Sequence, residues 1–440
     1  MENISVEKKT NINYKLNFLL IFLGRAVSVL GSAIFSFALS LYVLDLTGSA
    51  AIFSLLISLN ILPSIFVSFF GSVFVDRFDR KKIIVFSDLL SGIAVLIFAI
   101  IFSYYPQSVS IFMGYVIIIG VIQGFFLLAV NASIPNIVNE ERVASVNSSI
   151  QSLQAVVSII GPILGATLYN LFNMELILII NGISFLLSGI SEIFIVFKRT
   201  IEVKQDKLTI KSYFNSLKEA IEYLKVQKTI KFLLIFVVII NFIYQPLIIM
   251  VITFVTYQVL KVTGFQLALI EGASSLGVIL GAIIVSSYKS TNSLIMKFFK
   301  LLFIQSALIV LWAFPKLPVF TNASNWVITV IFIFILMLLA MINLIQFIPA
   351  ISYFQLQIPE NLRGRVQGIA NTAVMTSAPL GIWAYGLLLH NVNWVYLPII
   401  SGIILGIVAY IGSRHRHFKD FVNTLGLESG LSRTELQSKA

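Results

Sequence analysis

Apolar residues come in long unbroken runs, and polar residues are confined to the short breaks between them. Twelve runs fall near 16–44, 49–73, 84–104, 109–131, 147–171, 174–197, 231–257, 265–288, 294–314, 326–350, 367–389 and 394–412. Each is long enough to cross a hydrocarbon core of ~30 Å as a helix, the conformation in which a lipid-embedded segment satisfies its own backbone hydrogen bonds. The alternation that would mark a membrane β-barrel is absent. The pattern predicts an all-α membrane protein of twelve transmembrane helices. The first run follows a polar leader, 1–15, carrying Lys8, Lys9 and Lys15. It is too long for a signal-peptide core and has no clear small-residue cleavage site, so it is expected to remain as a helix.

The longest polar break, 198–230, divides the runs six and six, giving halves at 16–197 and 231–412 and a polar tail at 413–440. Within that break Phe214, Leu217, Ile221 and Leu224 recur at helical spacing with Lys218, Glu219, Glu222 and Lys225 between them. This predicts an amphipathic helix lying on the membrane surface. The halves also echo each other. "LDLTG" (44–48) returns as "LKVTG" (260–264), "NEERVASVN" (139–147) is answered by "NLRGRVQGI" (361–369), and "GPILG" (161–165) returns loosely as "APLGI" (378–382). Three matches in the same order suggest a duplicated six-helix unit, with a central cavity between two pseudo-symmetric halves.

Composition agrees: 58% of residues are hydrophobic and 11% charged, with a mean hydropathy of +0.98. There is no Cys, which excludes disulfides, thiolate metal sites and thiol catalysis. The histidines are His390, His415 and His417, and the last two flank Arg416 in a basic tail, where solvated charge explains them better than metal ligation. The net charge of +11 is explained by position rather than by nucleic acid. An even number of helices puts both termini on one side. That side then receives the leader, the 77–82 cluster, Arg142, nine Lys/Arg between 198 and 231, Lys289, Lys297, Lys300, Arg363, Arg365 and the tail. The opposite side keeps Lys261 and Lys316. This is the positive-inside signature, so both termini are expected in the cytoplasm and the protein in the cell membrane.

Charges of both signs crowd into "FVDRFDRKKIIVFSD" (74–88), the tight turn after the second run. Here the chain resembles the major facilitator superfamily, whose signature in that loop is approximately G-x-x-x-D-R-x-G-R-[KR]. Asp76, Arg77, Arg80 and Lys81 match, Ser72 stands where the first Gly is expected, and Asp79 replaces the second. An Asp at a helix end and arginines in a short turn can make charge-assisted bonds to neighbouring helix ends, a latch that holds one conformation and breaks in the other. Supply of positive-inside charge is the plainer alternative. In the fifth run, Gly161, Pro162 and Gly165 match the G-P-x-x-G core of a motif similar to that of drug–proton antiporters, with Val157 in place of an earlier Gly. Proline removes a helix hydrogen bond and glycines permit close contact, so this segment can kink and seal at once. The arginine that many such antiporters carry in the fourth helix is missing, where Gly120 and Gln123 stand instead.

Within the superfamily the chain is most similar to the macrolide-efflux type of Gram-positive bacteria, through 24–50, "VDRFDRKKI" (75–83) and "LIEGASSLG" (269–277). That branch also includes siderophore exporters. The resemblance implies alternating access around helices 1, 4, 7 and 10, no cofactor, and protons and a small amphipathic substrate as partners.

Ionisable residues within spans are costly and usually functional. Arg25 sits in the first run, with Ser28, Ser32 and Ser36 after it at helical spacing. Snorkelling is the alternative to a water-filled path. Glu271 lies well inside the eighth run and is the foremost candidate for proton coupling, a static hydrogen bond being the alternative. Asp88 and Glu192 are further coupling candidates, nearer the cytoplasmic ends, where snorkelling or pairing with the 77–82 arginines competes. Asp45 reads as a solvated turn residue. Asn241, Tyr244 and Gln245, and Asn343 and Gln346, are candidates for a substrate cavity or for interhelical ties, as is Gln123. There is no P-loop, nucleotide-binding domain or nucleophile–base constellation, so neither an enzyme nor an ATP-driven pump is expected. The expected function is export of a drug or natural product by proton antiport. Siderophore or metabolite export, proton-coupled import, and a non-transporting scaffold or sensor are the alternatives.

Overall fold

The computed structural model describes residues 13–71, 75, 78–138, 142–197, 210–288, 292–320, 322–419 and 422. Thirteen long helices follow in order: α1 (Tyr14–Thr47), α2 (Ala50–Phe70), α3 (Arg80–Tyr104), α4 (Val109–Ile137), α5 (Val143–Leu171), α6 (Met174–Ile193), α7 (Ile210–Val226), α8 (Lys228–Pro246), α9 (Gly264–Ser287), α10 (Phe298–Val310), α11 (Asn325–Gln357), α12 (Glu360–Asn391) and α13 (Tyr396–Arg414). All but α7 belong to the twelve segments long and apolar enough to cross a membrane, α8 being prolonged to Val259 by π-helical turns at Leu247–Val251 and Phe254–Val259. Their outward faces carry large apolar side chains such as Phe66, Ile100, Leu187, Phe334 and Ile407. Such a surface suits lipid and would aggregate in water.

Local signals start and stop these helices. Asn13, Ser49, Asn173 and Ser324 accept backbone N–H bonds at the starts of α1, α2, α6 and α11, each cap contributing ~1 kcal/mol. Gly48, at φ 58°, closes α1 in the left-handed conformation that glycine adopts without penalty. The corresponding turn of the second half solves the problem differently. Lys261 takes the left-handed conformation there, while Thr263 and Gln266 form a reciprocal capping box that opens α9.

The helix pairing repeats. In the first half α2 packs on α4, α3 on α6 and α1 on α5; in the second, α9 packs on α11, α10 on α13 and α8 on α12. These are the same pairs under the exchange of helices one to six for helices seven to twelve. The contacts between halves obey the same exchange: α2 packs on α12, and α5 on α9. The fold is therefore two pseudo-symmetric six-helix units, as the sequence echo implied.

Helix α7 lies where the two halves join in sequence, and the end of the bundle at which it sits is here termed the linker end. It docks on α12 and α8. Ala220 and Leu224 are buried with Ile230, Ile358, Leu362 and Val366, and Arg365 pairs with Glu219 at 2.8 Å. The helix thus spends part of its apolar face on protein rather than on a membrane surface. Ile221 remains exposed, and the side chains of Phe214 and Leu217 lie outside those described.

Candidate functional site

Helices α1, α2, α4 and α6 enclose a cavity of about 360 Å³ lined by Arg25, Ser28, Ser32, Ser36, Asn60, Ser64, Gln123 and Asn181 beside Tyr115, Phe126 and Phe185. The serine spacing that follows Arg25 thus places one polar stripe along the cavity wall. Small residues bring the walls together. A side chain at Gly31 would collide with Ser184 of α6, and one at Gly120 would press on the Asn60 carbonyl and Pro63 of α2. Below the cavity, Asn17 closes the linker end of this half. Its amide donates to the carbonyls of Ile137 and Val196 and accepts from the Val196 N–H.

Arg25 is 5% exposed, Asp88 0% and Glu192 1%, and both carboxyls act electrostatically on the guanidinium. The expectation that Asp88 and Glu192 snorkel or pair with the loop arginines is therefore corrected. Asp88 on α3 and Glu192 on α6 point into the helix bundle beside Arg25, because α1 packs on α6 and α6 on α3. Neighbouring hydroxyls and an amide come from α3, α4 and α6: Gln123 donates to the Ser91 hydroxyl at 2.8 Å, and Ser188 is fully buried.

Glu271 lies elsewhere. On α9, at the contact with α5 where Gly272 faces Ile159, its Oε1 accepts a 2.8 Å bond from the Thr253 hydroxyl. Arg25 is not its partner, since the guanidinium lies with Asp88 and Glu192. Thr253 sits between the two π-helical turns of the seventh span and is 2% exposed. Sequence reasoning missed it. Its only signal is a threonine in an apolar run, whereas π-helical turns are common at functional positions.

The loop cluster is partly visible. Asp76 and Arg77 lie outside the described residues. Asp79, expected in the latch, is the N-cap of α3 and accepts the Lys81 N–H at 2.9 Å. Arg80 donates to the Ala132 carbonyl of α4 at 3.0 Å, within the same half, and Lys81 opens the first turn of α3. In α5, Pro162 lies inside the helix, and side chains at Gly161 and Gly165 would collide with Ala33 and with the Ile34 carbonyl. The close approach those glycines permit is to α1.

Several amides serve as interhelical ties. Asn241 donates to the Val374 carbonyl and Ser377 hydroxyl of α12. Gln346, fully buried, donates to the Phe298 carbonyl of α10. Tyr244 is buried, while Gln245 and Asn343 are half-buried. A second cavity, of about 430 Å³, opens in the second half near the linker end. It is lined by Leu233, Val237, Phe347, Phe354, Gln355, Gln367, Asn371 and Met375, among others. Most of this wall is apolar, with three amides.

The halves meet tightly away from the linker end. Asp45, read from sequence as solvated, is exposed, and it also accepts hydroxyl bonds from Tyr169 of α5 at 2.8 Å and from Tyr257 at 3.0 Å, so it joins the first half to the second. Gly264 abuts Leu41, a side chain at Gly386 would collide with Ser54, Ser58 donates to the Pro379 carbonyl, and Ser158 donates to Ser275. A mainly apolar cleft of about 540 Å³ lies between Phe69 and residues that include Ile221, Phe242, Ile369 and Thr372.

Comparison with known proteins fits this arrangement. The chain is 24% identical over 402 residues to macrolide efflux protein A of Streptococcus pyogenes, covering 91% of this chain and 96% of that one. It is 29% identical over 124 residues, 28% of this chain and 29% of the other, to a Na(+), Li(+), K(+)/H(+) antiporter of Planococcus maritimus. Among solved structures, a bacterial homologue of the iron transporter ferroportin in an inward-facing state superposes with a TM-score of 0.66 at 13% identity, covering 91% of this chain and 99% of that one. The sequence profile of the Major Facilitator Superfamily matches residues 21–382. That match over residues 21–382, together with two repeated six-helix units joined through α2–α12 and α5–α9, makes this chain a member of the major facilitator superfamily of membrane transporters.

Proposed function

We propose that the protein exports an amphipathic drug or natural product by proton antiport, moving between a conformation open at the linker end and one open at the opposite end. The observation that carries this reading is the uneven seam between the halves. They are joined by Asp45, Tyr169, Tyr257 and the Gly264 and Gly386 contacts at one end, whereas at the other an apolar cleft lies between Phe69 of α2 and the second half. Such a seam closes one entrance to the interior while leaving the other available. The positive-inside distribution of Lys and Arg puts the linker end, and both termini, in the cytoplasm of a cell whose plasma membrane holds the protein.

The two cavities suit a ligand with two characters. The first-half cavity offers a cation, hydroxyls and amides; the second offers Phe, Met, Leu and Val with three amides. A macrolide has a polyhydroxylated face and an apolar one, and the relative from Streptococcus pyogenes is named for macrolide efflux. Glu271 is a carboxyl at the contact between halves, where it can load and release a proton as its exposure alternates, and Thr253 holds it in place. The Planococcus maritimus relative is named as a proton-exchanging antiporter.

The test is reconstitution in liposomes with an imposed pH gradient. Addition of erythromycin should dissipate the gradient faster with the protein than without it, and the drug should accumulate against its own gradient. Drug movement that ignores the pH gradient would overturn antiport, and no drug-dependent flux of either species would overturn macrolide transport. Orientation is checked on this Cys-free chain by Asn391→Cys and Gln227→Cys: an impermeant thiol reagent added to intact cells should label the first and not the second.

A further inference from the structure

We propose that Arg25, Asp88 and Glu192 form a binding site for one exchangeable proton inside the first half, separate from Glu271. This rests on the transporter reading only for its role in coupling; the site itself follows from burial and charge.

The cluster holds one cation and two carboxyls on three helices, each side chain more than nine-tenths buried. With all three ionised, the group carries one uncompensated negative charge. Removing a charge from water without a partner costs several kcal/mol even after the protein relaxes. Among the described residues the surroundings do not supply the missing positive charge. Helix α4 presents Gln123 and Tyr115 on this side, and α2 and α5 bring no Lys, Arg, His, Asp or Glu into their buried spans.

The hydrogen bonding shows the same deficit. None of the four buried carboxyl oxygens of Asp88 and Glu192 has a donor at full hydrogen-bonding geometry; the Ser188 hydroxyl and the Gln123 amide lie within reach but are too few for four oxygens, and Nε and Nη1 of Arg25 lack acceptors. Ionised carboxylates only accept. A proton on one of them cancels the net charge and turns that group into a donor that its partner carboxylate, Ser188 or Asn181 can accept from. One proton therefore cancels the excess charge and adds a donor among the carboxyls, and a second would leave Arg25 uncompensated.

The site communicates with the cavity through Arg25, which belongs to both. Asp88 also lies one helical turn from Ser91, which Gln123 holds from the cavity wall. A cationic ligand group that enters the cavity pushes the guanidinium onto the carboxyls, completes their counter-charge and favours proton release, the sense that antiport requires. A proton that leaves strengthens the hold of the carboxylates on Arg25. Occupancy of the cavity and occupancy of the proton site are thereby linked through one side chain.

The experiment reads the proton directly, without substrate. Infrared difference spectra of the purified protein between mildly acidic and strongly alkaline pH report the loss of a protonated carboxyl C=O band. In Glu271→Gln, which removes the half-buried carboxyl at the contact between halves, a band from one carboxyl should persist. Adding either Asp88→Asn or Glu192→Gln leaves one carboxylate opposite Arg25, a balanced pair that needs no proton, so the band should vanish. Adding Arg25→Gln instead should double it, because both carboxyls then need protons. Either near-isosteric carboxamide is sufficient if the other fails to fold. A band unchanged by both, or absent from Glu271→Gln at every pH, would overturn the proposal. Failure of erythromycin transport would overturn the export reading and leave this spectroscopic result intact.

Discussion

The two halves share one helix-pairing scheme and differ in what they bury within it. The first half encloses Arg25, Asp88 and Glu192 and a polar cavity. At the equivalent depth the second has Gln305 and Gln346 as buried amides and a cavity walled mainly by apolar side chains. Duplication therefore fixed the frame, in which α2–α12 mirrors α5–α9, and divergence placed ionic chemistry on one side of it. The lesson is energetic. Helix pairing depends on small residues and shape and tolerates many sequences, whereas buried charge is tolerated only where all its partners are assembled.

The largest expected break of that asymmetry is Arg25→Met. It leaves two buried carboxyls with no cation, which should cost about 3–5 kcal/mol when they are ionised. Thermal unfolding in detergent should show a deep loss at alkaline pH that shrinks on acidification. The comparable change in the second half, Gln346→Met, removes one hydrogen bond and should cost about 1–2 kcal/mol with no pH dependence.

Glu271→Gln tests whether the interface between halves needs a titrating group as well. The substitution keeps an acceptor for the Thr253 hydroxyl, so erythromycin binding and thermal stability should stay near wild type while pH-driven accumulation disappears. Full gradient-driven accumulation in this variant would remove Glu271 as an essential carrier.

A smaller effect is expected at the seam. Asp45→Asn weakens two hydroxyl bonds to a carboxylate, each worth about 1.5–3 kcal/mol when charged. The halves should part more often away from the linker end. Ala166→Cys, buried in the core shared by the halves, should then react with an impermeant maleimide about tenfold faster in the Asp45→Asn background, the factor that 1.4 kcal/mol gives. The smallest change is expected for Asn241→Leu within the second half. Loss of its two bonds to α12 should lower stability by about 1 kcal/mol and leave the pH dependence of transport unaltered.

Much of the frame was legible in the chain. Span number, the six-plus-six division and the linker helix follow from uninterrupted apolar runs and one long polar break, because the bilayer imposes a single length and a single conformation on whatever crosses it. The duplication was visible in the "TG" turns, but matching letters did not mean matching geometry: Gly48 ends a helix in the left-handed conformation, while Gly264 begins one and lets Leu41 approach. The serine stripe after Arg25 was likewise readable, since 3.6-residue periodicity puts Ser28 and Ser32 on one face.

Other features depended on partners distant in sequence. Asp45 looked like a turn residue until Tyr169 and Tyr257 converged on it from two other helices. Asp79 looked like part of a charge cluster until it capped α3. The sequence by itself determined that this is a twelve-span, duplicated membrane transporter and which few ionisable residues its spans contain, because hydrophobic length and charge cost are local properties of the chain. Only the tertiary structure decided that Arg25 belongs with Asp88 and Glu192 and that Glu271 belongs with Thr253. Which groups meet is set by helix rotation and packing between separate spans, more than sixty residues apart for Arg25 and its carboxyls and eighteen apart for Thr253 and Glu271, and no local pattern encodes that.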